Sequence, residues 1–135
     1  MRPFHYAFHV RDLASTRRFY GELLGCREGR STDSWVDFDF FGNQISAHLG
    51  PVAPTSDTGH VDGIAVPLPH FGAILGWNEL AELATRLDGT DATVVIPLRG
   101  RYPGEPGEQS TLFLRDFSGN AIELKAFRHP EHVYT

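Results

Sequence analysis

From His70 onward the chain replays its own beginning, and an internal repeat of this kind narrows the fold to two copies of one supersecondary unit. His5-Tyr6-Ala7-Phe8-His9-Val10 leads through Asp12-Leu13 into a helical pattern that closes at Leu23-Leu24-Gly25. His70-Phe71-Gly72-Ala73-Ile74-Leu75 leads through Asn78-Glu79-Leu80 into another, which closes at Leu87-Asp88-Gly89. The echo continues past the helices. Phe41-Gly42-Asn43 turns into a strand carrying His48-Leu49, and Ser118-Gly119-Asn120 turns into one carrying Glu123-Leu124. Four matching strands thus bring His5, His48, His70 and Glu123, which suggests a metal site between the two halves.

Side chains alternate along a strand, so Tyr6, Phe8 and Val10 share one face of the first strand while His5, Ala7 and His9 share the other. Asp12 is placed to cap the following helix, Phe19, Tyr20, Leu23 and Leu24 form its buried side, and Gly25 supplies a left-handed stop. Cys26 to Arg30 suits a short edge strand, and Trp35 to Phe41 a longer one. Gly42-Asn43 makes a turn into Gln44 to Leu49, on which Gln44, Ser46 and His48 share a face. Pro51, Pro54, Pro67 and Pro69 mark a linker. In the second helix Leu80, Leu83, Ala84 and Leu87 form one apolar stripe. Thr93 to Pro97, Gln109 to Arg115 and Ala121 to Phe127 follow as strands, with a polar loop from Arg99 to Glu108 that is either a lid over the cleft or a disordered segment.

The order is β-α-β-β-β twice, an α+β fold of paired βαβββ modules with curved mixed sheets and helices on the convex side. The expected layout is a single domain over 1–135, with module 1 at about 1–50, a linker at about 51–69 and module 2 at about 70–128. A chain of 135 residues is long enough to bury a real core. Its formal charge of −5 and scattered arginines argue against nucleic acid. Only Arg99 and Arg101 sit close together, placed for solvation or for contact with a substrate anion. Cys26 is alone, so neither an intrachain disulfide nor a thiolate cluster can form. No signal-peptide pattern opens the chain, and no apolar run nears the ~20 residues needed to cross a bilayer. The expectation is a cytoplasmic protein with neither membrane nor nucleic acid as partner.

If both sheets curve, their polar faces line one concave interior. Neutral imidazoles with a carboxylate suit a divalent first-row ion such as Fe2+, Mn2+, Ni2+ or Zn2+. An ion held by two histidines and one carboxylate with open positions can polarise a carbonyl or enolate oxygen, or bind dioxygen beside a chelating substrate. His48 is either a fourth ligand or a base beside the metal. His9 shares a face with His5 but lies ~13 Å along the strand from it, which makes it a cleft wall. Asp116 and Asn120 read as turn residues. Phe113 shares a face with Thr111 and Arg115 and is a second candidate for the pocket lining.

These motifs also resemble a known family. The opening His5 to Leu13, with Phe19-Tyr20 and Leu23-Leu24-Gly25 behind it, is similar to the start of the vicinal-oxygen-chelate superfamily, and Asp116 to Leu124 resembles its closing signature. That group includes glyoxalase I, type I extradiol dioxygenases, methylmalonyl-CoA epimerase, and fosfomycin and bleomycin resistance proteins. The resemblance implies a homodimer and a metal held on strands one, four, five and eight. His5, His70 and Glu123 match the first, fifth and eighth-strand ligands, with Glu123 and His48 as the catalytic candidates. His48 stands where glyoxalase I has a glutamate. The expected function is a divalent-metal-dependent enzyme acting on a small oxygenated substrate by bidentate chelation, with dioxygenase (oxidoreductase), lyase and isomerase chemistry open. The alternative is a metal-independent small-molecule or antibiotic-binding protein of the resistance type.

Overall fold

The fold is taken from a computed structural model that describes residues 2–135. Its first module is β1 (His5–Val10), a helix, β2 (Arg27–Ser31), β3 (Trp35–Phe40) and β4 (Asn43–Leu49). The helix starts as α1 (Leu13–Thr16) and continues as a π-helical stretch, Arg17–Leu23. The second module is β7 (Phe71–Leu75), α2 (Trp77–Leu87), β8 (Thr93–Arg101), β9 (Gln109–Arg115) and β10 (Ala121–Phe127). The strand orders are β1-β4-β3-β2 and β7-β10-β9-β8, the same plan twice, with β1 parallel to β4 and β7 parallel to β10. The repeat is therefore structural as well as sequential.

Local chemistry accounts for the boundaries. The Asp12 carboxylate accepts from the Ser15 backbone N–H at 2.7 Å, as an N-cap should. Gly25 follows the helix with φ +76°, the left-handed stop. The π-helical turn is wider than an α-turn, and consecutive Phe19 and Tyr20 are both wholly buried. The turn between β3 and β4 falls on Phe41-Gly42, one residue earlier than expected, because both adopt positive φ and Phe40 pairs with Asn43. Strand β8 runs to Arg101, past the expected end at Pro97, with two register shifts that absorb the irregular stretch. The loop after it is correspondingly shorter, and Arg99 and Arg101 lie on a strand.

The segment expected as a bare linker carries its own hairpin. Ser56–Val61 (β5) and Ile64–Leu68 (β6) pair antiparallel around Asp62-Gly63, both at positive φ. Asp-Gly is the dipeptide such a two-residue turn favours. Prolines had masked that signal. Pro67 sits within β6, the outer partner of a two-stranded ribbon, where a missing donor costs little.

The two sheets share one core. Tyr6 and Phe8 of β1 lie 4.8 and 5.1 Å from the Phe71 ring of β7, and both helices pack into the same cluster. Polar ties bind the halves as well. Arg18 makes a double hydrogen bond to Asp91 at 2.7 Å. Asp116, 4% exposed, accepts from the Tyr20 hydroxyl at 2.8 Å and from the backbone N–H groups of Ser118 and Asn120. Asn120 in turn donates to the His9 carbonyl, and the Arg11 N–H to Ser118 Oγ. The Asp116–Asn120 turn is thus the clasp between modules, a role beyond that of turn residues.

Candidate metal centre

His70 and Glu123 come together. His70 precedes β7, and its Nδ1 lies 2.8 Å from the Pro67 carbonyl oxygen. A carbonyl can only accept, so in the neutral ring Nδ1 carries the proton and Nε2 keeps its lone pair. That Nε2 stands 3.8 Å from Glu123 Oε2. Backbone orientation of the distal ring nitrogen is the usual support for a metal-binding histidine. An ion ~2.1 Å from each atom fits between donors up to roughly 4.2 Å apart, so the pair suits a divalent ion. Lys125 Nζ lies 3.0 Å from the other carboxylate oxygen, Oε1. The Glu123 side chain is only 13% exposed, and the Phe113 ring meets His70 edge-on at 5.2 Å. Phe113 therefore does face the site, paired directly with Glu123 across β9 and β10.

Glycine makes the pairing possible. Gly72 is the register partner of Glu123, and a Cβ there would lie 1.5 Å from the Glu123 carbonyl oxygen. Only a residue without a side chain lets β10 approach β7 so closely.

In the first module His5 Nδ1 lies 2.8 Å from the Gln44 amide oxygen, its register partner. His5 is exposed and is not joined to His70 and Glu123: among the described residues no three His, Cys, Asp or Glu side chains gather as a metal-holding group. The chain carries two separate pairs, His5–Gln44 and His70–Glu123. Register also reassigns the fourth strand. Ala7 pairs with Ser46 as Gly72 pairs with Glu123, so the counterpart of Glu123 is Ser46. Ser46 Oγ donates to Asp37 Oδ1 at 2.5 Å. His48 lies one step further on, paired with His9 and opposite Trp35, and matches Lys125. His48, His9 and His70 line a cavity of about 310 Å³, where the ring of His9 is anchored through Nδ1 to the Pro51 carbonyl at 2.9 Å.

Sequence reading missed three neighbours of the centre: Gly72, Lys125 as an ion-pair partner, and the β5–β6 hairpin. Arg101 on β8 donates to Asp62 Oδ2 at 2.6 Å, and Arg99 lies 3.7 Å from the same oxygen. Burial works against the Arg101 charge, but the hydrogen bond to Asp62, the charge of that carboxylate and the Tyr102 hydroxyl together outweigh it, and the guanidinium is held more firmly protonated. Arg115 donates to Thr55 Oγ1 at 3.1 Å. The hairpin is therefore tied at its turn and near its base to the sheet face that carries Glu123. No helix among the described residues is long and apolar enough to cross a membrane.

A family model described as the Glyoxalase/Bleomycin resistance protein/Dioxygenase superfamily matches residues 2–124. Among solved structures, a glyoxalase/bleomycin resistance protein/dioxygenase from Alicyclobacillus acidocaldarius is 27% identical, with a TM-score of 0.77 over 98% of this chain and 96% of that one. The fosfomycin resistance protein FosX from Listeria monocytogenes is 21% identical, with a TM-score of 0.66 over 93% of both chains. A lactoylglutathione lyase from Agrobacterium tumefaciens is 16% identical, with a TM-score of 0.62 over 93% of this chain and 92% of that one. The latter two likenesses are of fold. No match was found among curated proteins.

Proposed function

We propose, from the premise that this chain belongs to the Glyoxalase/Bleomycin resistance protein/Dioxygenase superfamily, that it is a divalent-metal-dependent enzyme acting on a small oxygenated substrate. The observation that carries this reading is the His70–Glu123 pair, with His70 Nδ1–H donating to the Pro67 carbonyl and the Nε2 lone pair turned toward the carboxylate. His5 is the third ligand, supplied by a second copy of the chain. Its exposure, an Nε2 with no hydrogen-bond partner among the described residues, and its separation from the pair support that assignment. When bound, the ion supplies Lewis acidity to a substrate that offers two neighbouring oxygens. Around it, Glu123 and His70 set the open face, Phe113 walls that face against water, and Lys125 balances the carboxylate before loading. His48 is the base: its imidazole lines with His70 one cavity, next to the recess that His70 shares with Glu123, and from there takes a proton from bound substrate.

One observation favours a second reading, a metal-free small-molecule binder: the Lys125 ammonium already neutralises Glu123 at 3.0 Å. The two readings part on metal content. Metal analysis of the purified protein is expected to find about one divalent ion per chain, and His70→Ala is expected to lower its affinity at least ~10-fold, as losing a ligand or its support does. Wild-type protein that binds no divalent ion, or a His70→Ala variant that keeps full stoichiometry, rules out the metalloenzyme reading.

A further inference from the structure

The face that carries Glu123 also carries a cluster of positive charge. Directly paired residues on neighbouring strands point to the same side of a sheet. Glu123 pairs with Phe113; one step along, Lys125 pairs with Thr111 and Thr111 with Arg99; one step further, Gln109 pairs with Arg101. Lys125, Arg99 and Arg101 therefore share the face of Glu123. With strands ~4.8 Å apart and ~3.4 Å per residue, Arg99 stands roughly 12 Å from Glu123. Lys125 is committed to Glu123. The two arginines are committed to one carboxylate, Asp62, at the tip of the β5–β6 hairpin.

Two guanidinium groups around a single carboxylate leave donors over, since each carries five N–H groups in a fixed fork. Arg101 spends Nε on Asp62 at 2.6 Å, and its Nη2 donates to the Tyr102 hydroxyl at 2.8 Å. Arg99 reaches Asp62 only at 3.7 Å, an ion pair without a hydrogen bond. Asp62 itself stays exposed, while the Arg101 side chain is 14% exposed. The more buried partner is the cation, and its carboxylate comes from the β5–β6 hairpin, a strand pair outside both four-stranded sheets.

We infer that Arg99 and Arg101 form an oxyanion-binding subsite, and that Asp62 on the β5–β6 hairpin is the internal stand-in that a substrate oxyanion displaces. The inference rests on the metal-centre reading for the identity of the other end of the substrate: a molecule with chelating oxygens at His70–Glu123 and a carboxylate, or a phosphate or phosphonate group, on the order of 12 Å away. Displacement frees the hairpin tip, so the strap that lies across the face when the subsite holds Asp62 opens when substrate arrives. The hairpin's second tie, Arg115 to Thr55, lies at its base and acts as the pivot.

The test uses acetate and inorganic phosphate as probes, titrated by NMR into the 135-residue chain with and without added divalent metal. Asp62→Asn keeps a side chain that tolerates the turn conformation and removes the competing charge. It is expected to tighten the preferred probe about fivefold, ~1 kcal/mol, the upper end for a partly exposed ion pair. Arg101→Gln is expected to abolish probe binding while leaving metal content unchanged. The tighter of the two probes identifies the oxyanion as carboxylate or phosphate. Equal affinity in wild type and Asp62→Asn, or full binding in Arg101→Gln, overturns the proposal. Because the probes bind with or without metal, loss of the metal reading alone leaves this result standing. Thermal melting of both variants shows that they are folded, and Arg101→Lys, which keeps charge but loses the fork, is expected to retain only part of the affinity.

Discussion

At the scale of single residues, two buried acids of the first module set the alkaline limit of the fold. Burial, with Asp39 adding to it, pushes the Cys26 thiol up to about 12. Burial and the neighbouring Asp116 carboxylate hold the Tyr20 phenol well above its ordinary value. Both groups are raised in the folded state, so the stability they contribute is complete at neutral pH. It is lost as pH climbs above the unfolded values, from near 9 for the thiol and near 10 for the phenol. Thermal melts from pH 7 to 11 are expected to fall steeply above pH 9, by at most roughly 3 kcal/mol from Cys26 at pH 11, and Cys26→Ala is expected to flatten that part of the profile. A wild-type profile level to pH 11 contradicts the assignment. The same burial predicts chemistry. At pH 8 only about one thiol in ten thousand is ionised, so a disulfide reagent is expected to modify Cys26 only after denaturant is added. Tyr20→Phe removes one donor from the buried Asp116 and is expected to cost about 1–3 kcal/mol in denaturant unfolding.

At the scale of elements, what was legible depended on how local the signal is. Strand faces, the Asp12 cap, the Gly25 stop and the α2 stripe are set within a few residues, and each stands where the pattern puts it. The β5–β6 hairpin was missed although Asp62-Gly63 is a turn signature, because four prolines outweighed it and Pro67 is tolerated at the rim of a two-stranded ribbon. The role of Gly72 was not legible at all. Nothing near it in sequence announces that the Glu123 backbone will press against it. Gly72→Ala is expected to destabilise the protein by about 2–4 kcal/mol and to loosen the site beyond that loss, because β10 must retreat with Glu123. Unchanged unfolding in urea would show that β10 yields more easily than the contact implies.

At the scale of the whole molecule, the question is how His5 meets the His70–Glu123 pair. One chain leaves them apart, and a second copy is the proposed supplier. Symmetry makes this testable. In a two-fold dimer, His5→Ala and His70→Ala each damage both sites, whereas a heterodimer of the two keeps one site intact. Equal mixing after unfolding and refolding is expected to restore about a quarter of the wild-type high-affinity metal sites, since half of the dimers are then mixed. No recovery beyond the sum of the separate variants would place all three ligands in one chain or dismiss His5 as a ligand. Dilution below the dimer dissociation constant is expected to weaken metal binding in the wild type.

The amino-acid sequence by itself determined a duplicated βαβββ module, the faces of its strands, and the superfamily to which the chain belongs. These follow from period-two and helical patterns and from caps, all of which act over a few residues. Only the tertiary structure decided which polar residues meet. Parity put His48 on the correct face, but the parallel pairing of β1 with β4 made Ser46 the counterpart of Glu123 and carried His48 one step past it. Pairing register and hairpin docking are long-range contacts, set by how the aromatic core closes around Phe71. An alternating pattern fixes a side chain's face and leaves its position along the neighbouring strand to the rest of the fold.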